Sequence, residues 1–137
     1  MKNEDLLKES IQIILNYDNR SIVVELKKYK TLEDIKVLEN VNFKELKELN
    51  LRCNQISDIK VLENVNFKEL QKLDLGSNKI SDIKVLENVN FKELKELYLS
   101  YNKISDIKVL ENVNFKELID LSHNQISEDE MLLIEKN

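Results

Sequence analysis

From Leu46 onward the apolar positions follow one recurring order, L-x-x-L-x-L-x-x-N-x-I. It runs through Leu46, Leu49, Leu51, Asn54 and Ile56, then Leu70, Leu73, Leu75, Asn78 and Ile80, then Leu94, Leu97, Leu99, Asn102 and Ile104. The alternation Leu49-x-Leu51 is that of a strand with one buried face. After each strand comes I-S-D-I-x-x-L, whose Ile59 and Leu62 are three apart and share one face of a short helical turn. The block ISDIKVLENVNFKEL stands unchanged at 56–70, 80–94 and 104–118, and DIKVLENVNFKEL stands at 34–46, so the period is 24 residues. A fixed period of this length marks a solenoid, whose units bury their apolar faces only against one another.

Stacked units would align their strands into a parallel sheet about 4.8 Å apart. Leu49, Leu73 and Leu97 would form one buried column. Asn54, Asn78 and Asn102 would form another, their amides bonding backbone groups that the turn leaves unpaired. Ser57 reads as an N-cap and Asp58 suits the positive end of the following turn. Phe43, Phe67, Phe91 and Phe115 form an aromatic column that brings the chain back inward. Val37, Val61, Val85 and Val109 fall opposite Ile59 and its copies, as packing between turns.

These motifs resemble the leucine-rich repeat family over about residues 31–126. The I-S-D-I-x-x-L segment is similar to the short-repeat class that includes bacterial internalins and nuclear phosphatase regulators. The resemblance implies an α/β fold: a right-handed leucine-rich-repeat solenoid, a horseshoe arc with a short parallel sheet on its concave face and short helical turns on its convex face. At 24 residues the period exceeds the 22 usual in that class, with the extra length expected in Glu-Asn-Val-Asn-Phe. The motif is specific for fold and nearly silent on function.

The expected organisation is one domain, 1–137. Residues 1–30 supply a cap, with a helix over 4–17 and a degenerate first strand at Ile22–Leu26. The repeats fill 31–126. A C-terminal cap helix occupies 127–137, opened by the capping box Ser127-Glu128-Asp129-Glu130 and stapled by Ile126 and Met131. Met131, Leu132 and Ile134 would cover the open end of the core. The fourth repeat is irregular: Phe115 to Asn124 is nine residues, where the earlier repeats have eleven. Aligning Asn124 with Asn102 puts Ile119 and Leu121 in the buried columns and Lys116 where a leucine should stand.

Composition narrows the possible partners. The net charge is −5, with 21 basic and 26 acidic residues interspersed, whereas nucleic acid and anionic membranes call for clustered Lys and Arg. No apolar run approaches a membrane span. The first residues do not read as a secretory signal, and Cys53 has no second cysteine to pair with. Both points lead to a cytoplasmic expectation.

Between 56–79 and 80–103 only five positions differ: Gln71/Lys95, Lys72/Glu96, Asp74/Tyr98, Gly76/Ser100 and Ser77/Tyr101. All lie in or beside the strand, and strand residues between the inward leucines face the concave surface. Up the stack the columns there read Glu48, Lys72, Glu96; then Asn50, Asp74, Tyr98, Asp120; then Arg52, Gly76, Ser100, Ser122; then Cys53, Ser77, Tyr101, His123. A Cys53–His123 nucleophile pair fails on distance, about 14 Å across three strand spacings against the ~3 Å that the chemistry needs. The stacked carboxylates Asp58, Asp82 and Asp106 read as a screened, solvated face beside Lys60, Lys84 and Lys108.

The sequence therefore indicates a monomeric, non-catalytic module that binds a protein partner, with no metal or cofactor. Tyr98, Tyr101, Asp74, Lys72, Glu96, Arg52 and His123 are the expected contacts, the tyrosines because they make good interface anchors. The alternative is a scaffold with no partner, either engineered or recently duplicated.

Overall fold

The structure, a computed structural model, describes residues 21–23, 35, 38–39, 45–115 and 117–135. Five three-residue strands form one parallel sheet in chain order: β1 (Ser21–Val23), β2 (Glu48–Asn50), β3 (Lys72–Asp74), β4 (Glu96–Tyr98) and β5 (Leu118–Asp120). The register pairs Leu49 with Leu73, Leu73 with Leu97, and Leu97 with Ile119. The central leucine of each strand thus stacks on its counterpart, and the residues on either side of it line the opposite face. The first strand begins at Ser21, a residue earlier than expected, and sets Ile22 against Leu49.

The strands are short, yet the ladder extends past them. Leu51 N donates to Asp74 O at 2.8 Å and Cys53 N to Gly76 O at 3.1 Å, and each later coil repeats the pattern. At this last position the backbone turns left-handed, with φ of 61° at Cys53, 53° at Ser77, 56° at Tyr101 and 57° at His123. This reversal brings the asparagine inward. Asn78 Nδ2 donates to the carbonyls of Leu51, Leu75 and Gly76 at 3.1, 2.9 and 3.0 Å, while its Oδ1 accepts from Ile56 N at 3.0 Å. Asn102 and Asn124 repeat the arrangement one and two coils up. Each amide ties its own turn to the coil beneath, which is why only asparagine serves here.

Past this turn Ile59, Ile83 and Ile107 are buried, and three 3-10 helices follow: Lys60–Asn64, Lys84–Asn88 and Lys108–Asn112. Ser57 is not the cap. Ile59 stands at that position, and the Asp58 carboxylate accepts the Lys60 N–H at 2.8 Å instead. Asp82 and Asp106 do the same for Lys84 and Lys108. The shorter reach of a 3-10 turn places the free N–H beside the aspartate rather than the serine. Phe67, Phe91 and Phe115 are buried, and the rings of Phe67 and Phe91 stack at 6.4 Å. Val61 and Val85 pack half-buried against the core and Val109 is buried, so this stripe is packing.

The C-terminal helix, α1 (Glu128–Glu135), forms with Ser127 Oγ accepting the Glu130 N–H at 3.2 Å. Only that half of the capping box is seen among the described residues, because Glu130 Oε2 is buried with no hydrogen-bond partner. Ile126 and Met131 pack against the core, but Leu132 is 52% exposed and does not cover it. The expected N-terminal helix over 4–17, Phe43 and Val37 lie outside the described residues. No helix among the described residues is long and apolar enough to cross a membrane.

Candidate functional site

The surface opposite the buried leucines is built from the first and third residues of each strand and the turn that follows. The third position carries a structural duty. Asn50 Oδ1 accepts from Arg52 N at 2.9 Å, Asp74 Oδ1 from Gly76 N at 2.9 Å, and Asp120 Oδ1 from Ser122 N at 3.0 Å. These side chains close the turn locally. Tyr98 has no acceptor to offer in that place, so β4 gives up the bond and presents a ring instead.

The seven candidate residues separate into three groups. The Tyr98 hydroxyl donates to Glu96 Oε1 at 2.9 Å, and Lys72 Nζ lies 5.3 Å from the Tyr98 ring centroid. The carboxylate accepting its proton, aided by burial, raises the Tyr98 phenol above its usual range. Arg52 reaches Asp74 Oδ1 at 3.5 Å and Ser100 Oγ at 3.3 Å. Tyr101 and His123 stack face to face, with centroids 4.1 Å apart and planes 10° from parallel. Tyr101 is 52% exposed whereas Tyr98 is only half-buried among its neighbours. The two tyrosines therefore belong to separate groups.

Three features escaped the sequence reading. Gly76 is buried, and a Cβ there would overlap Arg52 Nη1, so the chain's one glycine is a slot for the guanidinium. Asp120 is held below the usual carboxylate range by the Ser122 hydroxyl at 2.7 Å and by the Ser122 N–H. Leu118 is 43% exposed, although Leu70 and Leu94, at the same place in identical blocks, are buried. The fourth coil is two residues short, so Leu118 moves forward into β5 and pairs with Glu96. The nine-residue spacing from Phe115 to Asn124 was the signal that could have located it.

Other chemistry has little to build on. Cys53 and His123 sit at equivalent turns three strands apart in the sheet. No group of three or more His, Cys, Asp or Glu that could hold a metal occurs among the described residues. On the convex side a groove of about 470 Å³ is lined by Ser57, Asp58, Lys60, Asp82, Lys84 and Val85. Both charge signs face it, and Asp58 and Asp82 each already accept a backbone N–H there.

A family model for leucine rich repeats (2 copies) matches residues 44–88 and 68–112, together half of the chain. Among solved structures, the chain is similar to an internalin C2 from Listeria monocytogenes, with a TM-score of 0.57 and 17% identity. That match covers 90% of this chain and 66% of the other. An internalin (inlF) from the same organism matches at a TM-score of 0.49 and 25% identity, covering 74% of this chain and 35% of the other. This chain thus spans less than two thirds of either internalin's length. No curated relative matches the sequence.

Proposed function

Since the chain belongs to the leucine-rich repeat family, we propose that it is a non-catalytic module whose concave sheet surface binds a protein partner. One observation carries this reading. The core columns and the asparagine ladder recur with almost no change, while every difference between 56–79 and 80–103 falls in the concave strand or beside it. Packing fixes the first set and leaves the second free. Among the variable positions, Tyr101 is the most exposed aromatic and is braced from behind by His123. A rigid aromatic of this kind loses little entropy on binding.

The test is capture from lysate of the source cells, followed by identification and titration of the purified partner. A protein held by the wild type and by the convex variant Lys84→Ala, but released by Tyr98→Ala/Tyr101→Ala, supports the reading. Retention by the tyrosine variant with release by Lys84→Ala would overturn it. The free thiol of Cys53 supports a reducing, cytoplasmic compartment; recovery of the protein in an extracellular fraction would contradict that.

A further inference from the structure

The concave surface has two unlike halves, and we propose that the half built on β4 and β5 docks a partner patch in which a basic side chain lies between apolar groups. This rests on the reading that the concave sheet binds a protein and names the chemistry of that partner.

The halves differ first in charge. Residues 48–53 and 72–77 carry Glu48 and Asp74 against Arg52 and Lys72. These bases are already engaged, Arg52 with Asp74 and, at the edge of the upper half, Ser100, and Lys72 over the Tyr98 ring. Residues 96–101 and 118–123 carry Glu96 and Asp120 and no lysine or arginine.

They differ also in apolar exposure. Tyr101 and Leu118 are, with Leu132 on α1, the exposed large hydrophobic residues among those described. Leu118 continues a column that reads Glu48, Lys72 and Glu96 in the coils below. Tyr101 stands where the lower coils have Cys53 and Ser77.

Spacing completes the picture. From Leu118 to the Tyr101–His123 stack is five residues along the strand, about 16 Å at ~3.3 Å per residue. Asp120 lies between these two anchors with Tyr98 beside it in register, and Glu96 pairs with Leu118. A purely apolar patch laid here would strip water from both carboxylates and return nothing. An acidic patch would set like charges together. A cation between apolar groups satisfies both conditions, and a guanidinium can also lie flat on the Tyr101 ring.

Panning a random dodecapeptide library on the immobilised protein tests this. Recovered peptides are expected to carry Lys or Arg within a few positions of large apolar residues, and to bind more weakly as salt rises. Their affinity should fall at least ten-fold with Leu118→Ser/Tyr101→Gly and several-fold with Asp120→Asn. It should stay within two-fold for Glu48→Lys, on β2. Asp120→Asn is a clean probe of charge, because Asn50 makes the same turn-closing bond in β2. Peptides that are acidic or lack a cation, that respond to Glu48→Lys instead, or that never rise above background would overturn the proposal. If the concave variants leave binding intact and Lys84→Ala abolishes it, the concave reading falls as well.

Discussion

Arg52 Nη1 donates to Ser100 Oγ at 3.3 Å, across 48 positions of chain and two strands of the sheet. The guanidinium crosses the intervening coil through the gap at Gly76. In an array of near-identical coils, this contact depends on three different residues in one column. Gly76→Ala is expected to push Arg52 out towards solvent. The overall effect on stability should stay within about 1 kcal/mol, because partly exposed ion pairs contribute little and alanine restricts the unfolded chain. Urea denaturation and a crystal structure of the variant would check both halves; a much larger loss would mean that Arg52 cannot move aside.

The asparagine ladder should respond according to depth. Asn78→Ala leaves the buried Ile56 N–H without its acceptor and takes one of two donors from each of the Leu51, Leu75 and Gly76 carbonyls, which keep Asn54, Asn102 and Cys53 N. A loss of about 2–3 kcal/mol is expected, towards the upper end of the roughly 1–3 kcal/mol that one unsatisfied buried group costs. Asn124 is only half-buried, and water can replace it, so Asn124→Ala should cost nearer 1 kcal/mol. Equal losses in chemical denaturation would contradict this difference.

Identical blocks should behave differently at matched leucines. Leu70→Ala is expected to lose about 2–5 kcal/mol, and Phe67→Ala about 3–5 kcal/mol, as fully buried side chains. Leu118→Ala should stay within about 0.5 kcal/mol, being a surface change. The three melting curves decide it, and a large loss at Leu118 would place it in the core.

Backbone strain makes a prediction at Tyr101. With φ at 56°, a left-handed residue bearing a Cβ is strained by roughly 1–2 kcal/mol, a cost that glycine escapes. Tyr101→Gly should therefore be more stable than Tyr101→Ala by about 1 kcal/mol, the reverse of the usual order. Both variants lose the stack on His123, so the comparison isolates the backbone. Paired thermal melts showing alanine the more stable would refute it.

Acid should remove a contribution from Asp120. Its folded pKa is lowered from 3.8, chiefly by the Ser122 hydroxyl and N–H. The stability it supplies is thus present above 3.8 and is lost as pH falls through the lower folded value. The stability difference between wild type and Asp120→Asn should shrink on going from pH 7 to below pH 3.8. Urea titrations at both pH values measure it, and a difference that widens on acidification would show the sign to be wrong.

The repeat, the leucine columns, the asparagine ladder and the phenylalanine column were all readable from periodicity, and the C-terminal helix from the Ser127 cap. The repeat features depend on spacing that the period carries from coil to coil. Less legible were features set by relations between coils. Ser57 looks like a cap until the tight 3-10 turn offers its first N–H to Asp58. Tyr98 and Tyr101 look alike until one meets Lys72 and Glu96 and the other lies open on His123.

By itself the sequence determined which residues of the regular coils are core and which are free to vary, because a 24-residue period makes each of those coils bury the same positions. Tertiary structure alone decided where the free residues meet. Gly76 became a passage only because Arg52 lies one strand away. Leu118 turned outward, in a block identical to two others, because the shortened coil must still bring Ile119 and Asn124 into the shared ladder. Register across the sheet is a long-range constraint, and it overrides what the same fifteen residues do elsewhere in the chain.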